Sequence, residues 1–404
     1  MEIIADKQKI KTLLTRAVSD VLVKENLEKK LDSGKKLRIK FGIDPTAPDI
    51  HLGHTVPLLK LRQFQELGHQ AVLIIGDFTA RIGDPTGRLE ARKPLSESEV
   101  KRNMKNYLKQ VAKVIDIKKT KIHYNSEWFN KMTAREFLEL ANKATVQQVT
   151  KREDFKNRIK ENMDITGSEI MYPLLQGYDS VMVKSDVEIG GEDQLLNLLM
   201  GRRIQRAYNV SEQSILTTWL IEGTDGVKKM SKSSGNYISI TEKPEIMFGK
   251  IMSILDSLII KYFKALTVIS DSEIDIMEMD LKSGKSNPRD AKNKLSYEIV
   301  KIYHGEKKAQ EAEEEFNRVF KKKELPKEMP SATLQKGDRN IIDLLITLSL
   351  APSKSQARRL VLGRAVKIGG EISNEPKAIV EISEGLIIQV GKRHFVKIKI
   401  APVR

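Results

Sequence analysis

The chain has 404 residues, 40% hydrophobic and 31% charged, which predicts two or three globular domains with buried cores. Its 70 Lys and Arg residues against 54 Asp and Glu residues leave a net charge of +16, which favours a polyanionic partner such as nucleic acid. The lack of cysteine excludes disulfides, thiolate zinc sites and cysteine nucleophiles, and the lack of a long apolar run or signal-peptide core favours a cytoplasmic protein with no membrane partner.

The first half of the chain alternates between strand-like and helix-like segments. A strand at 37–43, a helix at 55–67 and a strand at 71–75 form one unit, because the apolar spacing changes from strand to helix and back. The later predicted elements are a capping box from Ser96 to Glu99, strand-like composition at 120–129, strands at 180–189 and 214–218, and a helix at 193–207. Short connections between such elements predict a parallel sheet and an α/β fold.

The second half of the chain has a different pattern. Long segments rich in Lys, Glu, Ile and Leu occupy 236–322 and predict an α-helical domain. The polar, proline-bearing residues 323–340 predict a linker, and residues 341–404 predict a small module. We therefore divide the chain into a helical segment at 1–34, an α/β domain at 35–235, and these three parts.

His51 and His54 lie between the first predicted strand and its helix, in the sequence H-L-G-H. A helix N-terminus attracts anions, and Gly53 allows a ligand to approach the main chain closely. Two imidazoles three positions apart can face the same way and stabilise charge on a phosphate under attack. The alternative is a pair of loop histidines without chemistry.

A lysine-rich loop, K-K-M-S-K-S-S-G at 228–235, follows a glycine-bearing turn. Lys229 and Lys232 in such a loop can close over a polyphosphate and supply point charges to a leaving pyrophosphate. The alternative is a solvated basic loop. No Walker lysine motif and no dinucleotide glycine fingerprint appears, so phosphate binding must be organised differently here.

Tyr172, Gln176 and Asp179 fall on one face of a predicted helix and present a phenol, an amide and a carboxylate together. Asp84 and Gln194 lie in loops near the carboxyl edge of the predicted sheet, where ligands usually bind. A solvated helix face and ordinary turn residues are the alternatives. These five side chains are the candidates for a small-molecule pocket.

In their order, these motifs resemble those of a known enzyme family. H-L-G-H with K-M-S-K-S is similar to the signature pair of class I aminoacyl-tRNA synthetases. The segments G-I-D-P-T-A-P-D-I-H-L-G-H, I-G-D-F-T-A-R-I-G-D-P-T-G, Y-P-L-L-Q-G-Y-D and G-G-E-D-Q resemble the bacterial tyrosyl-tRNA synthetases, over about residues 35–400. Tryptophanyl enzymes share several motifs, so the choice of tyrosine rests mainly on Asp179 and Asp84.

The resemblance implies a fold, a reaction and partners. The implied fold is a Rossmann-like parallel-sheet catalytic domain, an α-helical anticodon-binding domain and a small α+β RNA-binding module. The implied enzyme is a ligase that activates L-tyrosine with ATP, accompanied by Mg²⁺ without a protein metal site, and transfers tyrosine to tRNA(Tyr). A homodimer interface is implied within about residues 120–170.

The resemblance also implies residue roles. On the tyrosine side, Asp84, Tyr172 and Gln176 would surround the substrate ammonium, Asp179 would accept the phenolic hydroxyl, and Gln194 would contact the substrate and ribose region. On the ATP side, the implied residues are Gly42, Asp44 and Thr46 at the border of the site, Gly191 and Asp193 at the ribose, His51 and His54 at the α-phosphate, and Lys229 and Lys232 at the pyrophosphate.

Lys40 departs from the commoner family pattern. Eleven residues before His51 many tyrosyl enzymes have a tyrosine that contacts the substrate phenol, whereas this sequence has lysine, as in a second bacterial subgroup. We include Lys40 among the substrate-binding candidates and expect Asp179 to do more of the hydroxyl recognition, with Lys40 helping to keep it ionised.

The C-terminal module carries a basic surface. Residues 351–367 contain five basic residues and no acid: Lys354, Arg358, Arg359, Arg364 and Lys367. A predicted helix and strand with this composition can bind RNA phosphates. The segment resembles a small RNA-binding fold that in tyrosyl enzymes helps to hold the long variable arm of the tRNA. The alternative is a charged helix that packs on the main body.

Two other functional classes stay open from the sequence. A nucleotidyltransferase could use the two histidines to adenylylate a small acid without tRNA, although the lysine loop and basic module would then lack a purpose. A non-enzymatic RNA-binding protein could retain a disused synthetase scaffold. The retention of His51, His54, Asp84, Gln176, Asp179 and Lys232 argues against the second class.

Overall fold

The computed structural model describes residues 3–86, 95–320, 329–391 and 394–401. The chain forms two compact units, residues 1–313 and 314–404, and each is described by itself. Within the described residues, no helix has both the length and the apolar character needed to cross a membrane.

A six-stranded sheet lies at the centre of the first unit. Its strands are β1 (Val18–Leu22), β2 (Arg38–Ile43), β3 (Gln70–Ile75), β4 (Thr120–Tyr124), β5 (Val187–Gly191) and β6 (Ser214–Thr218). They lie in the order β1-β6-β5-β2-β3-β4, and every pair is parallel except β1 with β6. The predicted α/β fold with a parallel sheet is confirmed. The chain order reverses between β2 and β5, which is where open sheets of this kind bind ligands.

Helices connect and flank these strands. They are α1 (Lys7–Thr15), α2 (Lys24–Asp32), α3 (Leu52–Glu66), α4 (Glu97–Met104), α5 (Tyr107–Val111), α6 (Ser126–Phe129), α7 (Ala134–Ala141), α8 (Val146–Val149), α9 (Glu153–Lys160), α10 (Gly167–Met182) and α11 (Leu195–Ala207). The capping box predicted at Ser96 is present, since its hydroxyl accepts from the backbone N–H of Glu99.

Two sequence predictions for this unit need correction. Residues 1–34 were expected to be helical, but β1 lies between α1 and α2 and pairs with β6, a long-range contact that local spacing cannot show. The strand predicted at 180–189 is too early, because α10 continues to Met182 and β5 occupies Val187–Gly191. Lys184 turns the chain between them with a positive φ of 49°.

The described part of the region predicted as a helical domain, 236–320, contains five α-helices. The helices are α12 (Pro244–Met252), α13 (Ile259–Leu266), α14 (Asp271–Lys282), α15 (Pro288–His304) and α16 (Glu306–Phe320). Helix α15 reaches the α/β part directly, since the Tyr303 hydroxyl donates to Thr55 Oγ on α3 at 2.9 Å.

The C-terminal unit is a small α+β module. Its elements are β7 (Ser331–Leu334), β8 (Gly337–Asn340), α17 (Ile341–Thr347), α18 (Lys354–Leu362), β9 (Val366–Ile368), β10 (Glu371–Ser373), β11 (Ile379–Ile382), β12 (Ile387–Val390) and β13 (His394–Ile400). Five strands form one sheet in the order β10-β9-β12-β13-β7, and β8 pairs with β11.

The predicted linker at 323–340 is therefore wrong in its last ten residues. Strand β7 pairs in parallel with β13, and β8 pairs antiparallel with β11. β7 is an edge strand and β8 belongs to a two-stranded ribbon, and such strands tolerate the polar residues that suggested a linker. Residues 323–328 of the predicted linker lie outside the described residues.

Candidate active site

The two signature motifs meet at the N-terminus of α3. The backbone N–H of Leu52 donates to the carbonyl of Ile238 at 3.0 Å, just beyond the lysine loop. A Cβ built on Gly53 would lie 3.6 Å from the Cβ of Met230, the second residue of K-M-S-K-S. The structure therefore brings together the histidines and the lysine loop, as the sequence interpretation required.

His51 and His54 form a stacked pair, with ring centroids 3.6 Å apart. His54 Nδ1 accepts from the backbone N–H of His51 at 3.3 Å. Burial, aided by repulsion from Lys232 and Lys229, lowers the pKa of His54 to about 4. Burial, aided by His54 and the same two lysines, lowers the pKa of His51 to about 2. Both rings are neutral at pH 7, and the buried Nδ1 of His51 has no partner within the described residues. The pair thus offers polar ring atoms to a ligand.

The two loop lysines lie close enough to this histidine pair to affect its titration, and they have different partners. Lys229 Nζ donates to Asp193 Oδ2 at 2.6 Å, so the residues expected at the pyrophosphate and at the ribose are ion-paired. Lys232 Nζ donates to the carbonyl of Asp49 and lies 5.9 Å from the ring centroid of Tyr237. Burial lowers the pKa of Lys232.

Tyr172, expected on the tyrosine side, contacts Asp44, expected on the ATP side. Its hydroxyl donates to Asp44 Oδ2 at 3.0 Å, and Asp44 Oδ1 accepts from the hydroxyl of Thr79 at 2.8 Å. Burial first, and then Asp44 and Asp84, raise the pKa of Tyr172 well above its ordinary value. The phenol therefore remains protonated, and Asp44 contacts both Tyr172 and Thr79.

Asp84 and Gln194 contact each other directly. Gln194 Nε2 donates to Asp84 Oδ2 at 2.7 Å, while Asp84 Oδ1 accepts from the backbone N–H and hydroxyl of Thr86. Arg152 also donates to Thr86 Oγ, at 2.6 Å. Gln194 and Thr86 thus hold the Asp84 carboxylate in place, and Arg152, which sequence reasoning did not identify, contacts Thr86.

Asp179 is buried and accepts two side-chain hydrogen bonds. Trp128 Nε1 donates to Oδ1 at 3.0 Å, and Asn125 Nδ2 lies 3.4 Å from Oδ2. Burial raises the pKa of Asp179 to about 7, although Lys40, Trp128 and Asn125 each oppose that rise. Sequence reasoning missed Asn125 and Trp128, but both lie just after the carboxyl end of β4, the edge at which ligand-binding residues of parallel sheets collect.

Lys40 does not have the open position expected of a direct substrate contact. Its side chain is fully buried, and Nζ donates to the Gln176 carbonyl at 2.8 Å and Ser180 Oγ at 2.7 Å and pairs with Glu188 Oε1 at 2.9 Å. An ammonium group has three N–H donors, so all of them are used. Lys40 therefore contacts α10 from the sheet, through Gln176 and Ser180. Its ion-pair partner Glu188, which sequence reasoning missed, lies beside it because β2 and β5 are neighbouring strands.

Gly42, Thr46 and Gly191, three residues expected at the ATP, lie at or just after the carboxyl ends of β2 and β5. Gly42 is exposed, and a Cβ there would meet no atom within 4 Å. A Cβ on Gly191 would lie only 2.6 Å from Asp193 Oδ1. The backbone N–H of Thr46 donates to the Asp44 carbonyl at 2.8 Å, which forms a tight turn after β2.

The five basic candidates of the C-terminal module lie on α18, in the turn that follows it and on β9. Lys354, Arg358, Arg359 and Arg364 are exposed and Lys367 is half-buried. The opposite face of α18 packs into the module core through Ala357 and Val361.

The described residues contain no group of three or more His, Cys, Asp or Glu side chains placed to hold a metal ion. We therefore assign no protein site to the magnesium that is expected to accompany ATP.

Comparison with known proteins identifies the family of the chain. The family model for class I tRNA synthetases (W and Y) matches residues 32–321, and the model for the tyrosine--tRNA ligase SYY-like C-terminal domain matches residues 321–398. The chain is 48% identical over 390 residues to the tyrosine--tRNA ligase of Moorella thermoacetica, covering 96% of this chain and 94% of that protein.

Further relatives support the same assignment. The chain is 49% identical over 386 residues to the tyrosine--tRNA ligase of Thermotoga maritima, covering 96% of each chain. A C-terminally truncated mitochondrial tyrosyl-tRNA synthetase of Aspergillus nidulans shares the fold, with a TM-score of 0.66, 24% identity and coverage of 78% of this chain and 95% of that one. The chain therefore belongs to the tyrosine--tRNA ligase family of class I tRNA synthetases.

Proposed function

We propose that the site at the carboxyl ends of β2 and β5 catalyses both half-reactions of a tyrosine--tRNA ligase. The carboxylate of tyrosine attacks the α-phosphate of ATP and pyrophosphate leaves. The tyrosyl group then passes from the adenylate to the terminal ribose of tRNA(Tyr), and AMP leaves. The observation that carries this proposal is the meeting of His51, His54 and the lysine loop at the N-terminus of α3. The same unit contains the buried carboxylate of Asp179.

The phosphate chemistry depends on preorganised charge and hydrogen-bond donors. Neutral His51 and His54 donate N–H groups to the α-phosphate as negative charge develops there, and Lys229 and Lys232 neutralise the departing pyrophosphate. Lys229 exchanges its ion pair with Asp193 for the phosphate, which leaves the Asp193 carboxylate for the ribose hydroxyls. Gly42 and Gly191 give the nucleotide close access to the main chain, beside Asp44 and Thr46.

Tyrosine is recognised at both of its ends. Asp179 accepts the phenolic hydroxyl, and a substrate without that hydroxyl leaves the buried carboxylate one hydrogen bond short, which is costly. Asp84, Tyr172 and Gln176 surround the ammonium group, while Gln194 holds Asp84 in place. Lys40 supports Asp179 by favouring its ionised form, against the opposing charge of Glu188, without touching the substrate.

The remaining parts of the chain serve the tRNA and the assembly. The helical segment at 236–322 binds the anticodon arm, and the basic surface of α18 binds tRNA phosphates. Exposed apolar residues on successive helices of the 120–170 segment, Leu138, Val146 and Ile159, support a homodimer interface there. Magnesium reaches the site with ATP, and the reaction takes place in the cytoplasm, where tRNA is charged.

Tyrosine-dependent ATP–pyrophosphate exchange, followed by charging of purified tRNA, tests the proposal. We expect exchange with tyrosine but not with phenylalanine or tryptophan, and tyrosylation of tRNA(Tyr). Exchange without charging would favour a nucleotidyltransferase, and the absence of both would favour a disused scaffold. Exchange with tryptophan would overturn the amino-acid assignment, and a monomer at all concentrations in sedimentation would overturn the dimer.

A further inference from the structure

Helix α13 contacts the turn that precedes the lysine loop. Lys261 Nζ lies 2.8 and 2.9 Å from the two carboxylate oxygens of Glu222, and the hydroxyl of Tyr262 donates to the Glu222 carbonyl. The Tyr262 side chain is fully buried, and burial, with Glu222 and Asp225, raises the pKa of its phenol. Both the side chain and the backbone of Glu222 are thus bound to one helix.

Glu222 lies directly opposite Lys229 in the backbone. The two residues form an antiparallel β-bridge. The N–H of Gly223 donates to the Lys228 carbonyl at 2.9 Å, and the N–H of Met230 donates to the Ile221 carbonyl at 2.8 Å. The position of the Glu222 backbone therefore sets the position of the Lys229 backbone.

Asn236 closes the loop from its other end. Its side chain is buried, and Nδ2 donates to the carbonyls of Lys228 and Lys229 at 3.1 and 3.2 Å. Its Oδ1 accepts from the backbone N–H of Ser231 at 2.9 Å. Gly223 is tightly packed against it, because a Cβ there would lie 2.3 Å from the Asn236 carbonyl oxygen. The base of the loop is therefore held by hydrogen bonds on both sides of Lys229.

We propose that Lys261 and Tyr262 are positioning residues for the use of ATP, because they act through Glu222 to fix the backbone from which Lys229 reaches the phosphates. This inference rests on the proposed function. A lysine side chain is a flexible point charge, so the place of its ammonium depends on where its backbone is held. A misplacement of about 1 Å at a reacting centre can cost on the order of a hundredfold in rate.

A purely structural role for α13 would have a different signature. It would lower the stability of the whole unit and weaken tyrosine and ATP use together. A positioning role affects the ATP-dependent step alone, because the tyrosine pocket at Asp179 and Tyr172 makes none of these contacts with α13. The effect of a substitution on ATP use, relative to its effect on tyrosine use, therefore distinguishes a positioning role from a purely structural one.

The chain offers a matched control on the same helix. Lys264 also forms ion pairs, with Glu278 at 3.4 Å and Asp275 at 3.7 Å, but these partners lie on α14 and not on the turn at Glu222. Lys264→Met therefore removes a lysine and its ion pairs from α13 without touching the loop. Lys261→Arg keeps a cation that can bind both oxygens of a carboxylate.

The experiment uses the full chain with Lys261→Met, Lys261→Arg, Tyr262→Phe and Lys264→Met. Exchange kinetics give kcat and KM for ATP and for tyrosine, equilibrium dialysis gives tyrosine affinity, and thermal unfolding gives Tm. For Lys261→Met and Tyr262→Phe we expect kcat/KM for ATP to fall about tenfold, with tyrosine affinity unchanged within about twofold. Lys261→Arg should restore most of this activity, and Lys264→Met should resemble the wild type.

Two results would overturn the inference. Lys261→Met could weaken tyrosine binding as much as it weakens ATP use, which would indicate a general structural role. It could also match Lys264→Met, which would show that Glu222 does not need its partner on α13. A wild-type chain without tyrosine-dependent exchange would overturn the proposed function and this inference with it.

Discussion

The indole N–H of Trp128 donates to Asp179 Oδ1 at 3.0 Å, inside a pocket where only 4% of Asp179 is exposed. A hydrogen bond to a carboxylate favours its ionised form, whereas burial favours the protonated form. The pKa of Asp179 is raised to about 7 because burial outweighs Trp128, Asn125 and Lys40. The group expected to recognise the tyrosine hydroxyl therefore titrates near neutral pH.

Trp128→Phe should weaken tyrosine use selectively. The change keeps the aromatic packing but removes a hydrogen bond to a charged group, typically worth about 1.5–3 kcal/mol. We expect KM for tyrosine to rise by about tenfold or more, and KM for ATP to stay constant, in exchange kinetics. Trp219→Phe is the matched control at the other tryptophan, and an equal effect of both changes would contradict the assignment.

Tyrosine use should depend on pH through Asp179. Below its pKa of about 7 the carboxyl is protonated and loses acceptor capacity, so kcat/KM for tyrosine should fall as the pH drops from 8 to 6. His51 and His54, with pKa values of about 2 and 4, stay neutral throughout and add no inflection. Asp179→Asn should give a lower but flat profile. A profile for Asp179→Asn with the wild-type inflection would exclude Asp179 as its source.

Gly53→Ala should impair the chemical step without weakening the helix. The new Cβ would lie 3.0 Å from His51 Cε1 and 3.1 Å from His51 Nδ1, so the imidazole must shift. We expect kcat in the exchange reaction to fall about tenfold or more with KM for tyrosine unchanged, because the phosphate donors are displaced. Alanine itself favours helix by about 1 kcal/mol over glycine.

Gly249→Ala separates these two effects. Gly249 lies within α12, and a Cβ there would meet no atom within 4 Å. Gly249→Ala should therefore gain the same helix stability as Gly53→Ala but keep full exchange activity. Full activity in Gly53→Ala would show that the position of the His51 ring is not critical.

The sequence was informative wherever polar residues interrupt the expected pattern of an element. His51, His54 and the lysine loop stand out because a helix start and a glycine-bearing turn do not need such residues, and the structure brings them together. Trp128 and Asn125 did not stand out, because a strand-like tract with a tryptophan has the composition of an ordinary core. Only the order of the strands in the sheet, with β4 beside β3, shows that these two residues lie at the edge where they contact Asp179.

Pairing between distant segments was the part that could not be predicted. The burial of Lys40 depends on Glu188, which lies beside it only because β2 and β5 are neighbours in the sheet. Strands β1 and β7 likewise owe their conformation to partners far along the chain, β6 and β13. The spacing of residues within a segment does not indicate such distant partners, so the sequence of a polar strand resembles that of a linker.

Lys60 should make stability depend on pH in a specific direction. Its buried Nζ donates to the Leu13 carbonyl at 2.8 Å and to Gln63 at 2.9 Å, and burial, aided by Arg16, lowers its pKa to about 7. Between about pH 7 and its ordinary pKa of 10.5, the unfolded chain binds a proton that the folded chain does not. The contribution of this group to the free energy of unfolding therefore rises with pH across that window.

Urea unfolding of the wild type and Lys60→Met at several pH values measures this effect. The wild type should gain stability relative to the variant as pH rises, by at most about 1.4 kcal/mol per pH unit. Lys11→Met, an exposed lysine on the neighbouring helix α1, should show a constant difference from the wild type. A constant difference for Lys60→Met as well would mean that the buried ammonium keeps its ordinary pKa.

Arg358→Ala and Arg359→Ala should reduce tRNA charging and leave amino-acid activation intact. Both side chains are exposed on α18. Each change removes one cation that can pair with a tRNA phosphate, so it should weaken binding and lower the slope of log affinity against log salt by about 0.9. Exchange kinetics should be unchanged, because that reaction does not involve tRNA. Lys377→Ala removes one exposed charge from the same unit, outside this basic surface, and serves as the control. If all three variants charged tRNA alike at every salt concentration, α18 would not be the surface that binds tRNA.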